Sequence, residues 1–171
     1  HTCSEKLVVG AAGKFVRVYR NYPLDAKLPQ VERLVVMVHG ATRNGDGYFR
    51  TALASAAASG HYFDTLIVAP SFKGNDGQSC KDATEENELY WGCQLWNAGY
   101  RAQNGTETSF EAIDKLVQLA GNLDQFPNLK EIVIAGHSGG GQFAQRYAAT
   151  NRAETGSKIP VRYLVANPSS F

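Results

Sequence analysis

The sequence predicts an α/β fold, a mostly parallel sheet with helices on both faces. Two observations carry that expectation. Continuous apolar runs recur at 33–38, 65–69, 131–135 and 161–166, and stretches with helical spacing lie between them. Strands that are apolar along their whole length are buried on both faces, as parallel strands flanked by helices are. Their alternation with helices is the pattern of a sheet wound by crossover connections.

The elements follow in order. Lys6–Gly10 and Lys14–Arg20 read as two strands of an edge hairpin, the second with Phe15, Val16, Val18 and Tyr19 separated by arginines. Arg33–Val38, ending in His39-Gly40, reads as a buried strand, and a helix of small residues is expected over Tyr48–Ser59. The strand Thr65–Ala69 is expected to stop at Pro70. Residues 71–107 show no periodicity and are rich in Gly, Asn and aromatics, which predicts a long functional loop. Phe110, Ile113, Leu116, Val117 and Ala120 fall at helical spacing, with Thr108 or Ser109 as the cap. Glu131–Ala135 is the next buried strand, Gly139–Thr150 the next helix, and Val161–Ala166 the last strand.

Composition narrows the function. The 171 residues are 43% hydrophobic and 19% charged with a net charge of +1, and the lysines and arginines form no stripe. Such a surface offers no run of phosphate contacts, so nucleic acid is not an expected partner. No apolar stretch approaches the roughly 20 residues that span a bilayer, so no membrane is expected either. The chain opens with His1-Thr2-Cys3, which suggests a processed mature end, as after signal-peptide removal, or an artificial start. Cys80 and Cys93 flank a polar loop and are expected to pair. Cys3 is then a buried thiol or has its partner elsewhere. Asn104-Gly105-Thr106 matches a glycosylation sequon, a triplet common by chance. A secreted or periplasmic location is the expectation.

The sharpest motif is Gly136-His137-Ser138-Gly139-Gly140, set between an apolar strand and an amphipathic helix. A turn this tight forces the serine into a strained conformation, lifts its Oγ clear of the sheet, and requires small neighbours. The helix start then aims free N–H groups at any negative charge that develops on a substrate, with Gly139 the natural first donor. A phosphate cradle is the competing reading, but a Gly-Lys-Ser/Thr ending is missing, and so is the second glycine of a dinucleotide fingerprint. A purely structural turn is the other alternative.

At these residues the chain resembles the α/β-hydrolase superfamily, over roughly 14–168. His39-Gly40-Ala41 is similar to that family's loop after its third strand, where the residue after the glycine supplies a second oxyanion amide. The resemblance implies Ser138 as catalytic nucleophile, Gly139 and Ala41 as oxyanion donors, a structural role for His39, and no metal or organic cofactor. The segment Trp91–Asn97 is faintly similar to secreted polyhydroxybutyrate depolymerase and feruloyl esterase relatives, with Trp91, Trp96 and Tyr100 as candidate substrate contacts. In this superfamily an acid and then a histidine follow the serine. Here all four histidines precede Ser138 and no acidic residue follows Glu154. Even the position just after the last strand is Asn167-Pro168-Ser169.

The expectation is therefore a single domain over 1–171, lacking the C-terminal strands, with 71–107 arched over the active site. It would be a serine hydrolase cleaving a small or polymeric ester through an acyl-enzyme on Ser138. The Asp or Glu and the His would come from a segment not in this chain, either a C-terminal companion fragment of the same protein that stays bound after a cut or the rest of a truncated chain, unless the protein has abandoned the triad; the 171 residues alone would be insoluble or inactive. The alternatives are a peptidase or acyltransferase of the same fold, or an inactive ligand-binding homologue.

Overall fold

The computed structural model describes residues 3–170. His1, Thr2 and Phe171 lie outside them, and so does the start on which a processed end was expected. Strands β1 (Ser4–Val8), β2 (Phe15–Arg20), β3 (Arg33–Val38), β4 (Thr65–Ser71), β7 (Glu131–His137) and β8 (Val161–Ala166) form one sheet in the order β1-β2-β4-β3-β7-β8. Between β4 and β7 lies a pair of two-residue strands, β5 (Lys73–Gly74) and β6 (Tyr90–Trp91). The four strands β4, β3, β7 and β8 run parallel, and the β1–β2 hairpin adds antiparallel to β4.

Alternate residues of a strand face opposite sides of the sheet, and here the two sides serve different helices. Leu34, Val36, Val38, Leu66, Val68, Ile132 and Ile134 pack into the larger core with α2 (Ser109–Ala120) and α3 (Gly139–Thr150). Val35, Met37, Ile67 and Ala69 face the other way, against Phe49 and Ala52 of α1 (Gly45–Ala58). A one-turn helix, α4 (Ala153–Gly156), leads into β8. The doubly covered, mostly parallel sheet is the predicted architecture. Helix α2 starts with a reciprocal cap. Thr108 Oγ1 accepts from the Glu111 N–H at 3.2 Å, and the Glu111 carboxylate accepts from the Thr108 N–H.

Several details differ from the sequence reading. Strand β1 ends at Val8, because the chain turns through Ala11–Gly13 with Ala12 at φ 57°. Its partner β2 is an interior strand between β1 and β4, which is why Phe15, Val16 and Val18 are buried. Helix α1 begins at Gly45, one turn earlier than expected. Strand β4 runs through Pro70 to Ser71. Its pairing with β3 ends at Val36–Val68, while β2 still pairs opposite Pro70 on the other side, so the missing N–H breaks no two-sided ladder.

The 71–107 segment is built, not loose. Cys80 and Cys93 form a disulfide, β5 pairs with β6, and Leu95–Ala98 makes a short 3-10 turn. Elements of two to four residues, held by a cross-link and by aromatic packing, leave no periodic trace in sequence. Cys3 is free and exposed, not a buried thiol. The sequon asparagine is engaged: Asn104 Oδ1 accepts from the Tyr90 N–H and its Nδ2 donates to the Glu88 carbonyl.

Candidate active site

Adjacent parallel strands deliver their C-terminal ends to one edge of a sheet, where ligands of open α/β folds bind. Here β3 and β7 are neighbours in register, Met37 opposite Ala135 and Val38 opposite Gly136. The residues after each strand therefore meet. Ser138 stands between β7 and α3 at φ 57°, ψ −121°, a conformation that a side-chain-bearing residue adopts only under strain. Its N–H donates to the Ala166 carbonyl of β8 at 3.0 Å, and its carbonyl accepts the first helical bond, from the Gln142 N–H at 3.0 Å. The strained backbone is thus held from both sides.

The crossing is made of backbone alone. A Cβ on Gly136 would stand 2.1 Å from the Gly140 carbonyl oxygen, and one on Gly140 would stand 2.2 Å from the Val38 oxygen and 2.6 Å from the His39 oxygen. A Cβ on Gly141 would meet the Ala166 oxygen at 2.6 Å. Only glycine permits the elbow, the helix start and the end of β3 to lie this close.

On the other side of the serine lies the loop after β3. A Cβ on Gly40 would be 3.7 Å from Ser138 Cβ, and one on Gly139 would be 3.3 Å from the Ala41 nitrogen. Ala41 and Gly139, the two predicted donors, are side by side. The N–H groups of the first helical turn have no partner within the helix, so this corner offers amides and a positive dipole end to an anionic atom.

His39 is fully buried, and its two ring nitrogens are spoken for. Nε2 accepts from the Phe72 N–H at 2.9 Å, so it carries no proton, and Nδ1–H donates to the Gly40 carbonyl at 2.9 Å. Burial is the main reason its pKa falls to about 4. This neutral imidazole fixes the Gly40 carbonyl, and because the peptide is planar and trans it also fixes the direction of the Ala41 N–H. His137 turns away toward α1, with Nδ1 at 3.3 Å from the Tyr48 hydroxyl, beside a groove of about 450 Å3 lined also by Met37, Asn44 and Thr51. His61 pairs with Asp64. Among the described residues the hydrogen-bond partner of Ser138 Oγ is Ser169 Oγ, at 3.4 Å.

The aromatic expectation needs correction. Trp91 and Trp96 are completely buried and do not line a cleft. Trp91 packs edge-on to Phe72 and donates Nε1–H to the Tyr100 carbonyl at 2.8 Å. Trp96, Phe72 and Phe143 form a cluster of near-parallel rings, and Trp96 meets the His39 ring edge-on at 4.5 Å. It thereby supports the floor beneath Gly139. Tyr100 is exposed. Asp46, in the first turn of α1, pairs with Arg50 one helical turn on. Asp76 lies beside Cys80 and Cys93, but their sulfurs are bonded to each other, and the carboxylate caps the N–H groups of Gln78, Ser79 and Cys80.

Sequence reasoning missed three features here. Ser169 follows a turn with Asn167 at φ 42°. Asn97 and Gln142 form a buried amide pair that Arg146 joins. Asp82 binds Arg43 in the loop after β3. The partners lie 31 to 49 residues apart in the chain, and no local pattern announces them.

Fold and site together define an open α/β sheet with a serine raised on its strand-to-helix turn. The chain belongs to the alpha/beta hydrolase family, whose sequence profile matches residues 35–170. It is similar to the solved structure of poly(aspartic acid) hydrolase-1 from Sphingomonas sp. KT-1, at 24% identity and a TM-score of 0.54, covering 84% of this chain and 50% of that one. A poly(3-hydroxybutyrate) depolymerase from Bordetella parapertussis aligns at 19% identity and a TM-score of 0.58, over 92% of this chain and 50% of that one. An acetyl xylan esterase from Aspergillus awamori aligns at 19% identity and a TM-score of 0.52, over 86% and 47%. The chain thus spans about half the length of the solved structures it matches. No curated protein matches it.

Proposed function

We propose that the protein is a serine hydrolase that cleaves carboxylic esters through an acyl-enzyme on Ser138. The observation that carries this reading is the placement of Ser138 at φ 57° on the strand-to-helix turn, with the Ala41 and Gly139 amides adjacent. Ser138 Oγ attacks the ester carbonyl carbon while its proton passes to a base. The carbonyl π pair moves onto oxygen, where the two N–H groups receive it. As the carbonyl re-forms, the alcohol leaves and takes up that proton. Water then attacks the acyl-enzyme by the reverse choreography and frees Ser138.

A serine hydroxyl needs a base, and the base an orienting acid. His39 is locked in the core, and His61 and His137 are turned to Asp64 and Tyr48. Among the described residues none of these histidines reaches Ser138, and the proposed hydrolase therefore includes a companion segment that supplies the catalytic histidine and acid. The exposed Leu164 and Val165 of β8, the last strand of the sheet among the described residues, suit the addition of such a segment. The depolymerase and the acetyl xylan esterase are named for ester substrates and poly(aspartic acid) hydrolase-1 for an amide-linked polymer; the ester reading follows the first two, with Tyr100 as an exposed aromatic ring for substrate contact. The Cys80–Cys93 disulfide supports a secreted or periplasmic setting.

The test is covalent labelling of the full-length protein with a fluorophosphonate probe. One phosphonyl group located on Ser138 by peptide mapping, and lost in Ser138→Ala, supports the reading. A folded, full-length protein that takes up no label refutes it and leaves ligand binding as the role of the cleft.

A further inference from the structure

We infer that Arg43 and Asp82 are positioning residues for this site: their ion pair holds the Gly40–Ala41 peptide so that the Ala41 N–H faces the developing oxyanion beside Gly139. The inference rests on the proposed serine chemistry and extends it to a part of the molecule remote from the serine in sequence.

Four observations converge. First, the loop after β3 closes as a tight turn, with the Arg43 N–H donating to the Gly40 carbonyl at 3.0 Å, the same oxygen that His39 Nδ1–H reaches. Second, Arg43 closes that turn at φ 57°, in the left-handed region where a side-chain-bearing residue is disfavoured by roughly 1–2 kcal/mol. Something outside the turn must hold it there. Third, the Arg43 side chain supplies that hold from both ends. Its Nη1 donates to the Ala41 carbonyl at 3.0 Å, while Nε and Nη2 grip the two Asp82 oxygens at 2.5 and 3.2 Å. The carbonyls on either side of Ala41 are therefore both tied to Arg43, and two planar peptides sharing one Cα have little freedom left. Fourth, Asp82 is itself anchored. It lies inside the loop closed by the Cys80–Cys93 disulfide, and its Oδ2 accepts from the Gly74 N–H of β5 at 2.8 Å. Gly74 has no room for a side chain: a Cβ there would stand 2.7 Å from Arg43 Nε and 3.0 Å from the Cys93 carbonyl oxygen.

The pair is not an ordinary surface contact. Arg43 and Asp82 side chains are only 16% and 26% exposed, and the fork geometry uses both carboxylate oxygens. Partial burial works against the Asp82 charge, but hydrogen bonds from Arg43 and the Gly74 N–H outweigh it and keep the carboxyl below its ordinary pKa. The chain thus joins the disulfide-closed segment to the charge-stabilising loop through one guanidinium.

Asp82→Asn, Arg43→Met and Arg43→Lys in the full-length protein test this. Hydrolysis of p-nitrophenyl acetate, phosphonylation of Ser138 and amide hydrogen exchange are measured for each. With the Ala41 amide misdirected, kcat for Asp82→Asn and Arg43→Met should fall on the order of a hundredfold while KM holds within about threefold. Arg43→Lys, which keeps the charge without the fork, should fall between wild type and Arg43→Met. Exchange of the Arg43 amide in Asp82→Asn should quicken by at least about tenfold, as for a bond that opens locally, while amides of β7 keep their protection. An unchanged kcat, or an Arg43 amide as protected as in wild type, overturns the assignment. Equal losses across all three variants with a general loss of β7 protection overturn it too, since that marks a merely structural staple. A wild-type protein whose Ser138 is never phosphonylated overturns the serine chemistry instead, and with it any catalytic use of the pair; the exchange result then decides whether the pair holds the turn.

Discussion

Gly140→Ala is a severe single-methyl test of the contact between the elbow and β3. The added Cβ would stand 2.2 Å from the Val38 oxygen, whereas ordinary contact begins near 3.4 Å, so elbow and β3 must separate by about 1.2 Å. Neither party is a flexible side chain: one is the backbone of β3, the other the first turn of α3. Overpacking a core by small groups costs about 1–3 kcal/mol, and a clash between two main chains belongs at the top of that range. At about 2–4 °C per kcal/mol for a domain of this size, Tm should fall by about 6–12 °C. The same displacement moves Ser138 and Gly139 against Ala41. A misplacement near 1 Å lowers catalysis on the order of a hundredfold. The assays are a thermal melt and the rate of fluorophosphonate labelling read by intact mass, both on the full-length protein. A Gly140→Ala protein that melts within about 2 °C of wild type and labels at the same rate would refute the close-crossing argument.

Other expectations follow from single groups. His39 is neutral in the fold and has a pKa of about 4, below its unfolded value near 6.5, so its contribution to stability is complete above pH 6.5. As pH falls from 6.5 toward 4 the unfolded state takes up a proton that the folded state refuses, which costs about 3 kcal/mol. Denaturant melts across that window should show His39→Gln to have a shallower pH dependence than wild type; parallel curves would sink the claim. Thr108→Ala removes one half of the α2 capping box, and should cost about 1 kcal/mol in urea melts while leaving Ser138 labelling unchanged. A variant as stable as wild type would show that the cap does not hold α2.

The sheet was legible because its strands are apolar on both faces and its long helices carry one-sided stripes. Thr108 or Ser109, just ahead of the stripe Phe110, Ile113, Leu116, marked the start of α2, and the structure makes Thr108 the cap. The serine turn was legible for a different reason: a strand that enters a helix without a spacer has few sterically allowed solutions, and Gly136, Ser138 and Gly140 fit one of them. Pro70 misled because a proline's missing N–H matters only on a side that has a neighbour, and neighbours are a property of the whole sheet. Trp91 and Trp96 misled because an indole in a polar, glycine-rich stretch looks the same whether it lines a cleft or plugs a core. Arg43 carries no local signal of its role, since its partner Asp82 lies 39 residues on and the pairing depends on how the disulfide-closed segment folds back.

The stack of Trp96, Phe72 and Phe143 also settles how the 71–107 segment behaves. Swinging it open as a lid would drag two indoles into water. At about 200 Å2 of apolar surface each and about 25 cal/mol/Å2, that costs on the order of 10 kcal/mol. Such an open form is rarer than one molecule in a million. The segment is a keel, and traffic to Ser138 has to be governed by the rim of the cleft, with the hull staying shut beneath it.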